Sequence, residues 1–487
     1  MRRHGAGRQK CRRAPTRCRS MGKNNRQRRA AKHSAAKRHG SHQHSGRPAA
    51  GTSRAAGTQF SGGGTTDPFT RRDAAPGIEQ RRREQAERSL NRLLGARAST
   101  QLLAHLVEQE VISLQSDALR KLDELGTARL RYVLAGLWEH GWQPLDLLHV
   151  VHKSSPRLAP LIAAVITDQA EVVRAMQQAP QDWLNQLQVV AEEAGELAGG
   201  NDQRTTWLLA AALCRSGLAL VEAWVDILTV VRLISELPRL ELIAPPPSGW
   251  GKVVDLAPFD PASERGKVLK RIRALLAKAE ATDHPAEAET FTAKAQDLMT
   301  RHAIDEALLT AAADAAITVV AKRVHLQSPY AATKTSLLNA VATANRCKVI
   351  YFDRLAIATV VGVPLDIDQV EMLFTSLLIQ ATRAMTEAGA ARAGSFDRSA
   401  TFRRSFLAAY AVRIGERLAE ATSAATKSYG NELVPLLKRH DDAVTAEFER
   451  LFPFTREVGG RYFDRRGWDA GRRAADRAVF TSGRISA

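Results

Sequence analysis

The stretch from Lys267 to Asp305 is KVLKRIRALLAKAEATDHPAEAETFTAKAQDLMTRHAID, and its apolar residues recur at helical spacing. One apolar stripe includes Val268 and Ile272, and a second follows in the other half of the stretch. Two amphipathic helices that meet at a short turn predict a helical hairpin over residues 264–306. The side chains expected to build this hairpin are Leu275, Leu276, His284, Pro285, Glu287, Ala288, Phe291, Ala295, Leu298 and Met299.

The same stretch contains histidines and acids, which are residue types that bind metals. Proline favours the first helical position, so Pro285 places His284 at the N-cap and Glu287 in the first turn, where the helix dipole favours a carboxylate. His302 lies about 27 Å from His284 along a continuous helix, at about 1.5 Å per residue, which is too far for one zinc ion. The sequence therefore predicts a helix start here, and it predicts no metal ligand, cofactor or catalytic residue.

After Ala316 the pattern of apolar residues changes. The segment ITVVAKRVHL is β-branched and KTSLLNAVATANR is helical, and CKVIYFDRLAIATVVGV predicts two strands joined around Asp353 and Arg354. With the helix that follows, the order is β-α-β-β-α. This order predicts a small α+β domain over residues 315–450, including two closing helices.

The helix after these strands is expected from Asp366 to about Glu387. It begins with DIDQ, which predicts Asp366 as the N-cap and Gln369 as its partner in a capping box. The two closing helices are expected at about residues 400–427 and 431–450.

On the other side of the hairpin, nearly every apolar residue of segment 78–243 falls at helical spacing, with Gly and Pro between the runs. Five to seven helices in an all-helical domain are expected there. Residues 244–263, APPPSGWGKVVDLAPFDPAS, are rich in proline and predict an extended linker.

The C-terminal segment, residues 451–487, is predicted to be a basic tail with one short helix. Gly467 and Gly471 in this helix are spaced for close approach to another helix. One interpretation of the segment is an anion or nucleic-acid surface formed by Arg465, Arg466, Arg472, Arg473 and Arg477.

The charge of the chain is concentrated at its N-terminus. The formal net charge is +19, and residues 1–88 account for +18 of it, with 23 Lys and Arg against five acids. Residues 1–77 are rich in Arg, Ala, Gly and Ser, so they cannot bury enough apolar surface to offset the entropy of ordering. They predict a disordered basic arm.

A flexible arm of this charge attracts phosphate backbones through counterion release. The sequence therefore predicts binding of RNA or DNA without sequence specificity, because few aromatic residues are present to stack on bases. The alternative is a solvated tail without a partner. The residues predicted to contact nucleic acid are Lys23, Arg26, Arg28, Arg29, Lys32, Lys37 and Arg38.

The location expected for the chain is the cytoplasm, and no membrane association is expected. The apolar stretch TWLLAAALCRSGLALVEAWVDILTVVRLI from Thr206 contains Arg215, Glu222 and Asp226, whereas a membrane span needs about 20 largely uncharged residues. It predicts a buried helix. The four cysteines show no disulfide or zinc spacing, which suits a reducing compartment.

The hairpin stretch resembles the bacterial and phage domain-of-unknown-function family 2786 (DUF2786). The likeness is carried by the basic-apolar first helix, the turn from Asp283 to Ala288, and the segment from Ala295 to Met299. His284 stands where members commonly have Asn, a stronger N-cap, which favours a capping role for this position. The resemblance implies a bacterial cytoplasmic protein but no established reaction, cofactor or catalytic residue.

Two further likenesses extend from the hairpin. The region from about Ile317 to Leu418 is similar to a companion domain numbered 7168, on the segments NRCKVIYF, VVGVPLDI and FRRSFLAAY. The segment LWEHGWQPLDLLHVVH is similar to the N-terminal part of long actinobacterial members. Those begin like MGKNNRQRRAAK, which makes Met21 a candidate for the natural start beside Met1.

Three function hypotheses follow from the sequence. The first is association with nucleic acid or nucleoprotein through the basic arm, with the hairpin and the α+β unit as a surface for a protein partner. The second is a hydrolase or nuclease that uses scattered acids such as Asp366 and Asp368, although the chain has no phosphate-binding glycine loop, HExxH or Gly-x-Ser-x-Gly motif. The third is a structural adaptor that binds a protein and no nucleic acid.

Overall fold

A computed structural model of the chain is mainly helical, with one three-stranded antiparallel sheet, which confirms the predicted fold class. It describes residues 76–197, 208–251, 264–281, 294–295, 298–299, 301–302, 316–390, 399–429, 434–456 and 464–478. The part of the chain before residue 76, which includes nearly all of the predicted basic arm, lies outside these ranges. None of the helices within them is both long and apolar enough to cross a membrane.

The N-terminal half of the described chain is helical throughout. Its nine described α-helices are α1 (Pro76–Gly95), α2 (Thr100–Ser113), α3 (Ser116–Glu139), α4 (Pro144–Ser154), α5 (Ala159–Val172), α6 (Ala175–Gln178), α7 (Gln181–Ala194), α8 (Leu209–Arg215) and α9 (Leu220–Ser235).

The expectation of five to seven helices was wrong because short turns divide the apolar runs. The stretch from Thr206 predicted one buried helix, yet the chain turns at Gly217, whose φ of 99° lies in the left-handed region that favours glycine. The apolar faces of α8 and α9 on either side of this turn are both buried in the core of the helical half.

Aromatic side chains carry much of this core. The ring centroids of Trp138 and Trp183 lie 5.3 Å apart and those of Trp183 and Trp250 lie 5.4 Å apart, both edge to face. Trp250 belongs to the segment predicted as an extended linker. Its side chain is 7% exposed, and its indole Nε1 donates to the Pro245 carbonyl. The described start of that segment, up to Gly251, is folded against the helical half. The indole of Trp250 supplies the apolar surface that this packing buries.

The remaining elements follow the predicted order. They are α10 (Glu264–Ala281), β1 (Val320–His325), α11 (Ala331–Ala344), β2 (Lys348–Phe352), β3 (Ile357–Gly362), α12 (Pro364–Ala390), α13 (Ala400–Tyr429), α14 (Val434–Leu451) and α15 (Arg465–Arg477).

Strand β3 is the centre of the sheet and every one of its residues is buried. It pairs antiparallel with β1, where Val320 faces Gly362, and with β2, where Lys348 faces Val361. Because successive side chains point to opposite faces, Val360 packs into the core formed with α11 and α12, and Val361 packs against α14. The predicted β2–β3 turn around Asp353 is present.

The predicted capping box at the start of α12 is wrong. The helix begins at Pro364, so Asp366 lies inside its first turn, and its carboxylate pairs with Arg346 at 2.8 Å. Gln369 is fully buried, and its Nε2 donates to the carbonyl of Met299 at 3.1 Å. Tertiary partners have replaced the local bonds that the sequence suggested.

The described hairpin residues contribute to the same core as the sheet. Leu276, Ala295 and Met299 are buried in it, and Leu275 and Leu298 pack against its edge. Helix α10 contacts α12. The other hairpin positions singled out in the sequence, His284, Pro285, Glu287, Ala288 and Phe291, lie outside the described residues.

Helix α15 packs on α13 through two glycines, as their spacing predicted. A Cβ added at Gly467 would lie 2.5 Å from the carbonyl oxygen of Phe402, and one added at Gly471 would collide with the carbonyl of Phe406. From the first contact to the second, both helices advance by four residues, so α13 and α15 run in the same direction. Buried Arg417 of α13 donates to the carbonyls of Ala475, Asp476 and Ala478 at the C-terminal end of α15.

We expect Gly471→Ala to lower the free energy of unfolding by about 1–3 kcal/mol, because the added methyl group displaces the backbone of α13. Chemical unfolding followed by circular dichroism measures the loss. Gly136→Ala is the matched control, since a Cβ at this glycine in α3 meets no atom within 4 Å. Alanine favours a helix over glycine, so we expect the control to be neutral or stabilising by up to about 1 kcal/mol. Equal effects of the two substitutions would contradict the packing argument.

Candidate functional site

A polar junction joins the helical half to the sheet, and Asp146 and Arg323 are its centre. Their side chains are 1% and 3% exposed, and Arg323 Nη1 donates to Asp146 Oδ2 at 2.5 Å. Asp146 is also the third residue of α4, where its Oδ2 accepts from the backbone N–H of Gln143 at 3.0 Å. One carboxylate therefore caps a helix and binds a strand of the sheet.

Arg323 also binds two carbonyl groups of the helical half. Its Nη1 donates to Gly141, in the turn before α4, at 2.7 Å, and its Nη2 donates to Glu241, after α9, at 2.9 Å. The guanidinium group has five donors in a fixed plane, so it can bond several segments at once. A single residue of β1 thus connects the sheet to two separate segments of the helical half.

Two histidines complete the polar junction. His325 Nε2 lies 2.8 Å from Asp146 Oδ1, and the rings of His149 and His325 are 5.1 Å apart. Burial alone would raise the pKa of the Asp146 carboxyl, but the charges and hydrogen bonds of Arg323 and His325 lower this pKa below its ordinary value. Burial, followed by the charge of His325, lowers the pKa of His149 to about 4. His149 is therefore neutral at physiological pH.

The structure also has an open cleft, which none of the four junction side chains lines. Its volume is about 380 Å³, and Lys153, Tyr330, Tyr351, Asp353 and Arg404 are among its lining residues. The two cations that line the cleft contact other groups of the protein. Lys153 Nζ donates to the carbonyl of Arg354 at 2.6 Å, and the Arg404 guanidinium lies 5.9 Å from the Tyr330 ring centroid. Burial and then the charge of Asp353 raise the pKa of Tyr351 to about 12, so its phenol stays protonated. The cleft offers hydrogen-bond donors, and its described contacts form no nucleophile and base pair.

The scattered acids of the hydrolase hypothesis do not meet at this cleft. Asp366 is 3% exposed and is held by Arg346. Across the described ranges, no group of three or more His, Cys, Asp and Glu side chains is placed to hold a metal ion.

A second charged feature is the surface of α15. Its five arginines are not equivalent. Arg472 pairs with Glu416 at 3.1 Å, and Arg413 of α13 pairs with both Glu416 and Asp476. Hydrogen bonds from Arg472 and then Arg413 lower the pKa of the Glu416 carboxyl. The other arginines of the helix, Arg465, Arg466, Arg473 and Arg477, are exposed.

The seven residues predicted to bind nucleic acid, Lys23, Arg26, Arg28, Arg29, Lys32, Lys37 and Arg38, lie outside the described residues, so no geometry bears on them. Sequence reasoning missed the polar junction. The one signal for it was PLD at residues 144–146, a Pro and an acid in the first turn of a helix, which indicates a helix start but not its partner on β1.

These features define a mainly helical protein with a small antiparallel sheet. Residues 267–306 match the family model described as a protein of unknown function, DUF2786. The match covers the predicted hairpin, of which α10 and the buried residues Ala295 and Met299 are described. No curated protein and no solved structure matches the chain.

Breaking the buried pair tests the polar junction. We expect Arg323→Met to lower the free energy of unfolding by about 3–5 kcal/mol, because Asp146 is left charged and buried. The matched control is Lys322→Met on the same strand, since Lys322 pairs with Glu371 at 2.7 Å with side chains 47% and 33% exposed. An exposed pair is worth at most about 1 kcal/mol. Urea unfolding measures both variants, and similar losses would show that the junction does not hold the fold.

Acid tests His149. The pKa of His149 in the folded protein, about 4, is below its ordinary value of 6.5. Between these two pH values the unfolded chain binds a proton at His149 and the folded chain does not, so acidification destabilises the fold. We therefore expect the urea midpoint of the native protein to fall more steeply on acidification than that of His149→Asn, which keeps a hydrogen-bonding amide and does not titrate.

The comparison between variants is needed because a second buried group acts in the opposite direction. Burial raises the pKa of Asp123 to about 6, so its protonation favours the folded state on acidification. This contribution is common to both proteins and cancels in their difference. His152→Asn, at an exposed position of α4, is the control and should follow the native protein. A parallel decline of the native protein and His149→Asn would refute the assignment.

Proposed function

We propose that the protein associates with nucleic acid through its basic N-terminal arm, residues 1–77. The observation that carries this proposal is the separation of charge along the chain: residues 1–88 hold a net charge of +18 out of +19. A protein whose positive charge was distributed for solubility alone would not need to concentrate it in one segment. Concentrated cations release counterions from a phosphate backbone when they bind it.

The expected binding is electrostatic and independent of sequence. Base recognition by a single-stranded nucleic-acid binder relies on aromatic platforms, and the segment from Met21 to Gly40, where the seven predicted contact residues lie, has no Phe, Trp or Tyr. The arm would then supply affinity, and the balanced remainder of the chain would supply contacts to a protein partner in a nucleoprotein.

The alternatives from the sequence have less support. A hydrolase or nuclease built on Asp366 would have to use a carboxylate that is buried and paired with Arg346. A structural adaptor would bind a protein partner only, and it does not account for the charge of the arm. Localisation in the cytoplasm and a bacterial origin belong to the same proposal, since the hairpin stretch resembles a bacterial family.

The test replaces the seven arm residues Lys23, Arg26, Arg28, Arg29, Lys32, Lys37 and Arg38 with Gln in the full chain. Affinity for single-stranded RNA and for duplex DNA is measured by fluorescence anisotropy across a salt series. Each lost phosphate contact lowers the slope of log K against log salt by about 0.9 on duplex DNA, so we expect the slope to decrease by up to about 6.

A chain in which residues 1–77 are permuted at constant composition is the matched control. Because the proposed binding depends on charge and not on order, we expect the permuted chain to keep its affinity. An unchanged affinity of the Gln variant would reject the role of the arm. Equal loss in the permuted and Gln chains would indicate a specific motif and contradict an electrostatic mechanism.

A further inference from the structure

We propose that the exposed side of α15 is a second, rigid contact surface for a nucleic-acid phosphate backbone, formed by Arg466, Arg473 and Arg477. These three residues are named the α15 arginine row. The inference deepens the proposed function and rests on it for the class of ligand, but it concerns a different surface from the arm. The described chain gives four arguments for it.

The first argument is geometric. The three residues are spaced i, i+7 and i+11, and at 3.6 residues per turn these positions fall within about 40° of one another around the helix. Along the axis they are separated by about 10 Å and about 6 Å, at about 1.5 Å per residue. The row is therefore straight and spans more than two turns, which suits a ligand with regularly spaced negative charges.

The second argument is that the arginines of the row form no ion pair with the described part of the protein. Arg466, Arg473 and Arg477 are exposed, and in the part of the chain that the structure describes none of them has a hydrogen bond or an ion pair. Arg472 on the same helix is paired with Glu416 and serves the packing of α15 on α13. The helix thus separates a structural arginine from exposed ones that remain available to a ligand.

The third argument is rigidity. The opposite face of α15 consists of buried Gly467, Gly471, Ala474 and Ala475, in close contact with α13. Asp464 caps the first turn by accepting from the Gly467 N–H at 2.8 Å, and Arg417 binds the carbonyls of the last turn. Both ends of the helix are fixed, so a ligand that binds the row has to order the arginine side chains but not the backbone that carries them.

The fourth argument concerns the alternatives to nucleic acid. A helix that lies on a lipid surface inserts large apolar side chains opposite its cations. In α15 the face opposite the row is already packed against α13, and its buried residues are Gly and Ala. An anionic membrane is therefore disfavoured. The planar guanidinium group binds phosphate and carboxylate alike through two hydrogen bonds, so an acidic polypeptide is included in the test.

Asp469 supplies an internal check on the same surface. It is exposed on α15, lies within one turn of both Arg466 and Arg473, and has no ion pair within the described ranges. A phosphate chain on the row would be repelled by this carboxylate. Its removal should therefore strengthen binding, whereas most substitutions in a binding surface weaken it.

The experiment uses the full chain and compares R466Q/R473Q/R477Q with the native protein in the same salt series. We expect an affinity at least about tenfold lower and a slope lower by about 3 on duplex DNA, one for each lost contact. The Lys triple variant at the same positions should retain most of the affinity, because it keeps the charge. Asp469→Asn should bind more tightly than the native protein.

R83Q/R383Q/R450Q is the matched control for net charge. These three arginines are exposed on α1, α12 and α14, and each is paired with an acid, Glu87, Glu387 and Glu447. If this control loses as much affinity as the row variant, the effect is that of total charge and the proposal is overturned. Circular dichroism and thermal unfolding verify that each variant keeps its fold.

Combining the row variant with the Gln variant of the arm distinguishes the two proposals. If only the arm variant loses affinity for RNA and DNA, the proposal for the row is overturned and the proposal for the arm stands. If only the row variant loses affinity, the reverse holds. If the native protein binds neither RNA nor DNA at low salt, both proposals are overturned. Native-strength binding to poly-glutamate or to phosphatidylserine vesicles that depends on the row would also overturn the proposal, since the surface would then not be selective for a nucleic-acid backbone.

Discussion

The guanidinium group of Arg323 and the carboxylate of Asp146 form an ion pair that water barely reaches. Removing two such charges from water is expensive, and their attraction compensates only when the remaining donors and acceptors are bonded as well. Here that condition is met, because Arg323 binds the carbonyls of Gly141 and Glu241, and Asp146 binds His325 and the backbone of Gln143. An apolar contact tolerates sliding, whereas this set of directional bonds requires one arrangement of sheet and helices.

Apolar contacts also connect the sheet to the helical half. Leu355 and Ile357, from the turn and first residue of β3, are buried in the core of the helical half, while Ala358 and Val360 belong to the core around α11 and α12. Together with Val361, which packs against α14, one strand therefore contributes to three cores. The hairpin residues Leu276 and Met299 pack into the second of these, so the segment that carries the family likeness is supported by the sheet and α12. A change at the polar junction would consequently be felt in both halves of the fold.

Local patterns predicted most of the elements, and long-range partners limited the rest. The β-α-β-β-α order followed from β-branched runs and helical spacing, and the close approach of Gly467 and Gly471 followed from their separation of four residues. The capping box at Asp366 failed because Arg346 competes for its carboxylate, and the stretch from Thr206 was divided by a turn at Gly217 that a count of apolar residues does not detect. The pattern of apolar and polar residues in β1 does not distinguish Arg323 from a surface cation. Its partners are far away in sequence, and no periodicity encodes them.

The arrangement of charge in the described chain separates structure from surface. Arg323 is buried and paired with a carboxylate, Arg417 is buried and donates to carbonyl groups, and both hold elements together. The paired surface arginines, such as Arg472 with Glu416, create little field beyond their partners. A field that reaches solvent therefore originates where cations stand without acids, and screening confines it to about 8–10 Å at physiological salt. Within the described chain, α15 places three cations that form no ion pair in one line, on a helix whose other face is fixed. Under the proposals made above, the arm and the helix would act differently on the same ligand: the charge of the arm would accelerate encounter, and the helix would fix the orientation in which a phosphate chain crosses the surface.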